Sequence, residues 1–423
     1  MRVTLDYGTT GLTVELPDDC MVVLPDEPRP VDDPAATITA ALRQPVAGAA
    51  IGELARPGQQ VVVAVPDGTR PHPQRLAIEA ILTELARAGA DTNVTVLIAG
   101  GTHDADAPEV IAAMLGPDVP KRCTVAIHDC RDAENLVLLG PAGPPATDVQ
   151  VSLDRRWVEA DLRISTGLVE PHLFAGFSGG PKLVAIGCAG LDTIMTLHKG
   201  SRVGDPAATW GAVKGNPVHE AIRAVASMCP PHFSLEFVLD SAKRITHAFA
   251  GTTRAAHEAA GEIAVQGTMH RMHRRFPLVI STSGGYPLDQ NFYQAIKGVS
   301  AAEEIVSDGG TIILAAECRC GLPDACVYTD LLKPDEDIRD ANARLIDSEH
   351  VVPGQWQVQS QARVQARARV LVKSSGLSPA DIAAARLEAV EDIAVFVQNA
   401  RRRDPTMPIA VLPHGPYCVP FLA

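Results

Sequence analysis

The run QVVVAV at residues 60–65 is continuously apolar after Gln60 and is closed by Pro66. A strand that is apolar on both faces needs cover on both sides, the condition of a strand inside a parallel sheet. The following residues provide that cover. Residues 73–90 place Leu76, Ile81, Leu82 and Leu85 on one helical face, and NVTVLIAG at 93–100 reads as a second strand. A strand–helix–strand unit of this kind favours a parallel sheet. DLRIST at 161–166 is a third strand, and the pattern restarts near residue 276. There FPLVISTS (276–283), a helix over 291–306 and GGTIILAAE (309–317) repeat the unit. RARVLVKS (367–374), a helix over 389–403 and PIAVLP (408–413) extend it. The expected fold class is α/β, built as two α/β domains with a cleft between them. The expected spans are residues 1–270 and 271–404, with 405–423 a candidate to return to the first domain. The Pro- and Gly-containing stretch from Leu139 to Thr147 reads as a loop within a domain.

At 423 residues, 46% of them hydrophobic, the chain can bury two sizeable cores. Its formal net charge of -13 argues against a nucleic-acid or membrane-surface binder, which would need a basic face. It leaves open a small anionic ligand, because a few placed cations can dominate a cleft. The N-terminal residues lack the charged and apolar regions of a signal peptide, and no apolar run reaches the ~20 residues of a membrane helix. The nine cysteines form no compact disulfide framework, so a cytoplasmic location is expected. Cys318, Cys320 and Cys326 lie close in sequence, but without a second ligand pair they read as structural rather than as a zinc site.

In parallel α/β sheets, functional loops lie beyond the carboxyl ends of the strands. PDGTRPHP (66–73) follows the first strand and GGTHD (100–104) the second. After the third comes EPHLFAGFSGGPK (170–182). Its glycines allow close backbone approach to a ligand, and Lys182 adds a positive charge. It is not a nucleoside-triphosphate loop, because Pro181 precedes the lysine and Leu183 follows it. Alone it reads equally as a phosphate loop or a tight turn. His172 just upstream and His198 beyond the next helical segment add metal-binding or acid–base chemistry to the same stretch.

The ordered set PDGTRPHP, GGTHD, EPHLFAGFSGGPK, His198 and YPLDQNFYQAIKG (286–298) resembles the lactate racemase family, over a span from Val61 to Trp356. The resemblance implies a nickel-pincer nucleotide, a pyridinium mononucleotide whose two sulfur-containing arms hold nickel. It implies that this group is covalently joined to Lys182 and that His198 is a nickel ligand. Asp67, Thr69, Gly176, Ser178, Gly179 and Gly180 are then cofactor-binding positions, His103 and His172 the catalytic acid/base pair, and Arg70, Lys297, Tyr293, Gln294 and Trp356 substrate-binding residues. Residues 1–270 become the cofactor-binding and catalytic domain, and the cleft holds cofactor and substrate. The implied activity is racemisation or epimerisation of a small, lactate-like 2-hydroxy acid by reversible hydride transfer. Cofactor-making proteins are implied as loading partners, so protein produced without them is expected to lack the group. His72, His128 and His219 read as structural or surface residues, and the chemistry of GNPVHE around His219 is not derivable from the sequence.

Two other readings compete. A nicotinamide-dependent hydroxy-acid dehydrogenase would carry a GxGxxG loop after an early strand, and none is present. A non-catalytic carrier of nickel or its nucleotide would need only Lys182 and His198. The presence of His103, His172, Arg70 and Lys297 favours catalysis.

Overall fold

Val61–Pro66 is buried at every position, as its sequence demands. In the computed structural model, which describes residues 1–26, 28–322, 328–333 and 335–422, the chain divides into two compact units. One comprises Pro28–His198 and Ala207–Val265, the other Met1–Glu27, Lys199–Pro206 and Gln266–Ala423.

In the first unit the described residues form a six-stranded sheet. Its order is Ile245–Gly251, Phe233–Leu239, Leu162–Leu168, Val61–Pro66, Val94–Ala99 and Thr124–Ile127. Only Ile245–Gly251 runs antiparallel to its neighbour. Helix Gln74–Arg87 packs Ala77, Ile78, Ile81, Leu82 and Leu85 into the core. Leu76, expected on that face, sits at its margin and is half-buried, because Ala77 and Ile78 point more directly at the sheet. Leu139–Thr147 belongs to an antiparallel hairpin of Leu136–Pro141 with Gln150–Asp154.

The second unit also holds a six-stranded sheet among its described residues, all parallel. The order is Glu388–Ala389, Arg369–Lys373, Val306–Ala315, Phe276–Thr282, Ile409–Leu412 and Met21–Val22. The final strand therefore does not return to the first unit. Ile409–Leu412 is buried at all four positions and lies between Phe276–Thr282 and the N-terminal edge strand. Parallel pairing needs no local turn, so nothing beside the strand in sequence reveals its neighbours. Helix Phe292–Glu303 lies tightly on this sheet because Gly298 has no side chain: a Cβ there would stand 1.9 Å from the Thr282 carbonyl oxygen. No helix among the described residues is long and apolar enough to cross a membrane.

Candidate active site

The loop leaving Val61–Pro66 begins with Asp67, which is buried and accepts hydrogen bonds from two sides. His103 Nδ1 lies 2.5 Å from Asp67 Oδ2, and the Thr69 hydroxyl donates to Oδ1 at 2.6 Å. Burial alone would raise this carboxyl, but His103, Thr69 and Arg70 outweigh it and hold it below the usual range. An ionised carboxylate can only accept, so His103 carries its proton on Nδ1 and presents the Nε2 lone pair. Arg70 follows on the same loop. Its Nη1 is buried without a hydrogen-bond partner among the described residues, an uncompensated donor at a site that suits an anion.

His172 is set the other way. Its Nδ1 accepts long hydrogen bonds from the Phe174 and Ala175 amides, at 3.5 and 3.3 Å, which places the proton of the neutral ring on Nε2. The Phe174 ring stands edge-on to His172 at 4.6 Å and to His198 at 5.7 Å. GNPVHE now has a physical role. Asn216 caps helix Pro217–Ala226 and donates to the Phe174 carbonyl at 3.0 Å, while His219 Nδ1 donates to the Ala175 carbonyl at 3.0 Å. The segment grips the backbone immediately after His172. Gly176 has φ +75°, and a Cβ there would meet the Ala212 carbonyl oxygen at 2.0 Å.

Ser178 Oγ donates to the Leu168 carbonyl at 2.7 Å and accepts from the Glu170 amide, closing the loop on itself. Gly179 and Gly180 follow with φ +68° and +50°, and Lys182, half-buried, leaves that turn. After Lys182 the chain first makes a five-residue π-helical turn, Leu183–Gly187. Its last residue accepts from the Gly101 amide at 3.2 Å, joining the lysine loop to the GGTHD loop. Helix Leu191–Leu197 then delivers His198 at its C-cap. His198 is buried, and its Nδ1 donates to the Ile194 carbonyl at 2.8 Å. The ring's lone pair therefore resides on Nε2, the form that ligates a metal.

The second unit holds the remaining expected residues together on two helices. Asn291 caps helix Phe292–Glu303 by accepting from the Gln294 amide. Lys297, one turn on, is buried. Tyr293 Oη accepts from Trp356 Nε1 at 2.6 Å, which ties this helix to Gln355–Gln365. Gln294 Oε1 is buried with no partner among the described residues. Cys318 is buried, its thiol pushed up to about 12 by burial, whereas Cys320 is exposed and Cys326 lies outside the described residues. His72, His128 and His219 are all buried: His72 bonds Thr166, and His128 bonds Asp154 and the Ala189 carbonyl.

Sequence reasoning missed two buried groups beneath the glycine loop, Glu236 and His257. The available signal was a lone acid in the apolar strand FSLEFVL. Burial pushes the Glu236 carboxyl up to about 8 against a small opposing effect of the Gly180 amide. The unfolded chain releases this proton near pH 4.5 and the folded chain near pH 8, so between those values folding must retain a proton. Stability from this group is therefore full below about pH 4.5 and falls as pH rises toward 8. Glu236→Gln removes the dependence. Chemical denaturation at pH 5 and pH 8 should show the variant gaining on wild type by on the order of 3 kcal/mol across the interval. An equal difference at both pH values would refute an elevated carboxyl.

Comparison with known proteins gives a consistent result. A family model described as the lactate racemase N-terminal domain matches residues 7–211, and one described as the lactate racemase C-terminal domain matches residues 273–419. The chain is 31% identical to the lactate racemase of Thermoanaerobacterium thermosaccharolyticum over 422 residues, 93% of this chain and 95% of that one. It is 32% identical to the lactate racemase of Lactiplantibacillus plantarum, over 90% of this chain and 89% of that one. The solved lactate racemase apoprotein from the former organism superposes with a TM-score of 0.90 at 29% identity, covering 99% of this chain and all of that one. A Thermotoga maritima protein, 18% identical, shares the fold with a TM-score of 0.71.

Proposed function

Because the chain belongs to the lactate racemase family and is an isomerase, we propose that it racemises or epimerises small 2-hydroxy acids, lactate first among them, with a nickel-pincer nucleotide joined to Lys182. The observation that carries the reading is the meeting of two loops: His103 of GGTHD pairs with Asp67 of PDGTRPHP, beside Arg70, whose buried Nη1 lacks a partner among the described residues. A base and an anion-binding cation are what a hydroxy acid needs.

The residues fit the implied group. Among the described residues no three His, Cys, Asp or Glu side chains are gathered to hold a metal by themselves. His198, with Nδ1 committed to a carbonyl, suits a single protein ligand to a metal whose other donors are organic. Lys182 would carry the nucleotide, and Asp67, Thr69, Gly176, Ser178, Gly179 and Gly180 would line its place. When bound, the group supplies an electron-poor centre that takes up and returns the C2 hydrogen with its electron pair. Proteins that make the nucleotide would be needed to load it.

The chain itself handles the hydroxyl proton and the carboxylate. His103 Nε2 accepts the hydroxyl proton, and Asp67 stabilises the imidazolium that forms. His172 serves the opposite enantiomer. For it to accept at Nε2, the proton moves to Nδ1, and the long amide contacts there must give way. Arg70 pairs with the substrate carboxylate through its planar fork, and Lys297, with Tyr293, Gln294 and Trp356, completes substrate binding.

The test is a panel of enantiopure 2-hydroxy acids incubated with cofactor-loaded protein, without added nicotinamide, followed by chiral analysis. Inversion of lactate or a close analogue is expected. Oxidation that requires nicotinamide, or no turnover by loaded protein on any member, would sink the proposal. Arg70→Lys keeps the charge but loses the fork, so kcat/KM on the best substrate should fall by roughly 1–3 kcal/mol in transition-state stabilisation. An unchanged kcat/KM would remove Arg70 as the carboxylate clamp.

A further inference from the structure

Glu236 stands behind the lysine loop and takes no part in the chemistry described so far. It lies on Phe233–Leu239, the second strand from one edge of the first unit's sheet, and is 0% exposed. Its Oε2 accepts from the Gly180 amide at 3.1 Å, and Oε1 has no partner among the described residues. The backbone is shaped around this carboxyl. A Cβ on Gly167 would stand 2.4 Å from Oε2, and one on Gly179 would stand 2.7 Å from it. On the other side of the turn, His257 Nε2 donates to the Ser178 carbonyl at 2.9 Å, and its ring leaves no space for a Cβ on Gly180.

The turn held in this way leads directly to Lys182, whose amide donates to the Gly179 carbonyl at 3.1 Å. Two consecutive glycines at positive φ have many alternative conformations, so something outside the turn must select one. An apolar residue at position 236 would bury at lower cost but could offer no acceptor to Gly180. We propose that Glu236 is a positioning residue for Lys182: its side-chain oxygen, acting through the Gly180 amide, fixes the Gly179–Gly180 turn and thereby the direction in which Lys182 is presented. The inference rests on Lys182 being the attachment point of the nucleotide.

The experiment uses the full chain, first without cofactor. Lys182 is acetylated competitively with acetic anhydride, and its rate relative to the other lysines is read by peptide mass spectrometry in wild type, Glu236→Gln, Glu236→Asp and Glu236→Ala. Hydrogen exchange at the Gly180 amide reports the bond itself. Gln keeps an acceptor at the same reach and should stay within about twofold of wild type. Asp is one methylene short and Ala has no acceptor. Both should shift Lys182 reactivity by roughly fivefold or more, the scale of one lost hydrogen bond, with faster Gly180 exchange. Adduct yield on co-expression with the cofactor-making enzymes should fall in the same order. If Glu236→Ala does not fold, the Asp and Gln pair decides. Unchanged Lys182 reactivity in Asp despite faster Gly180 exchange would overturn the proposal, as would a folded Gln variant that behaves like Asp. Wild type that loads no adduct on Lys182 would instead defeat the cofactor reading, and the labelling comparison would still judge Glu236.

Discussion

Lys182→Ala is expected to carry no covalent adduct under conditions that load the wild-type chain, and to show no racemisation above background. Within GFSGGPK the lysine is the only side-chain amine, so the loop offers no substitute for attachment. The turn before it is held by Ser178, Glu236 and His257 through backbone contacts that the substitution leaves intact. The fold should therefore survive, and loss of the adduct can be assigned to the missing amine. Intact-mass analysis of wild type and variant, each produced beside the cofactor-making enzymes, makes the comparison. Wild type should exceed its sequence mass by one nucleotide adduct and the variant should match its sequence mass. A variant with the full adduct would remove Lys182 from this role. Wild type produced without those enzymes should likewise be unmodified and inactive.

Such expectations draw on sequence and structure unequally, for physical reasons. Val61–Pro66 was legible because a strand covered on both faces must be apolar throughout, and Val94–Ala99 because only Thr95 interrupts its apolar run. The neighbours of Ile409–Leu412 were not, because parallel pairing joins it to Met21–Val22 across nearly the whole chain. The site motifs were legible as residue types in order. What the sequence could not carry was the partner of each ring nitrogen. His103 faces a carboxylate and His198 a carbonyl, which place the proton on Nδ1, whereas His172 faces two amides, which place it on Nε2 of a chemically identical side chain. His219 shows the same limit. Its bond to the Ala175 carbonyl crosses 44 residues of sequence and turns an unexplained motif into a grip on the His172 loop.

Replacing either His103 or His172 with Ala should slow inversion in both directions, by roughly 10²–10⁴-fold, the range for loss of a positioned acid or base. The effect is two-directional because the group that takes the hydroxyl proton from one enantiomer is the group that returns it when that enantiomer is formed. A merely structural histidine could also lower the rate, so two further measurements are needed. Nickel content of the loaded variants should be largely retained, because His198 is the proposed ligand and its orientation is set by the Ile194 carbonyl rather than by either base. Substrate deuterated at C2 should give product that keeps its label in wild type and, at the reduced rate, in both variants, because the histidines act on oxygen and not on carbon. Had either histidine removed the C2 hydrogen as a proton, the label would exchange from an imidazolium with water. Extensive washout in loaded, active wild type would therefore reassign the histidines from the hydroxyl to the C2 position and end the hydride reading, even with racemisation itself confirmed.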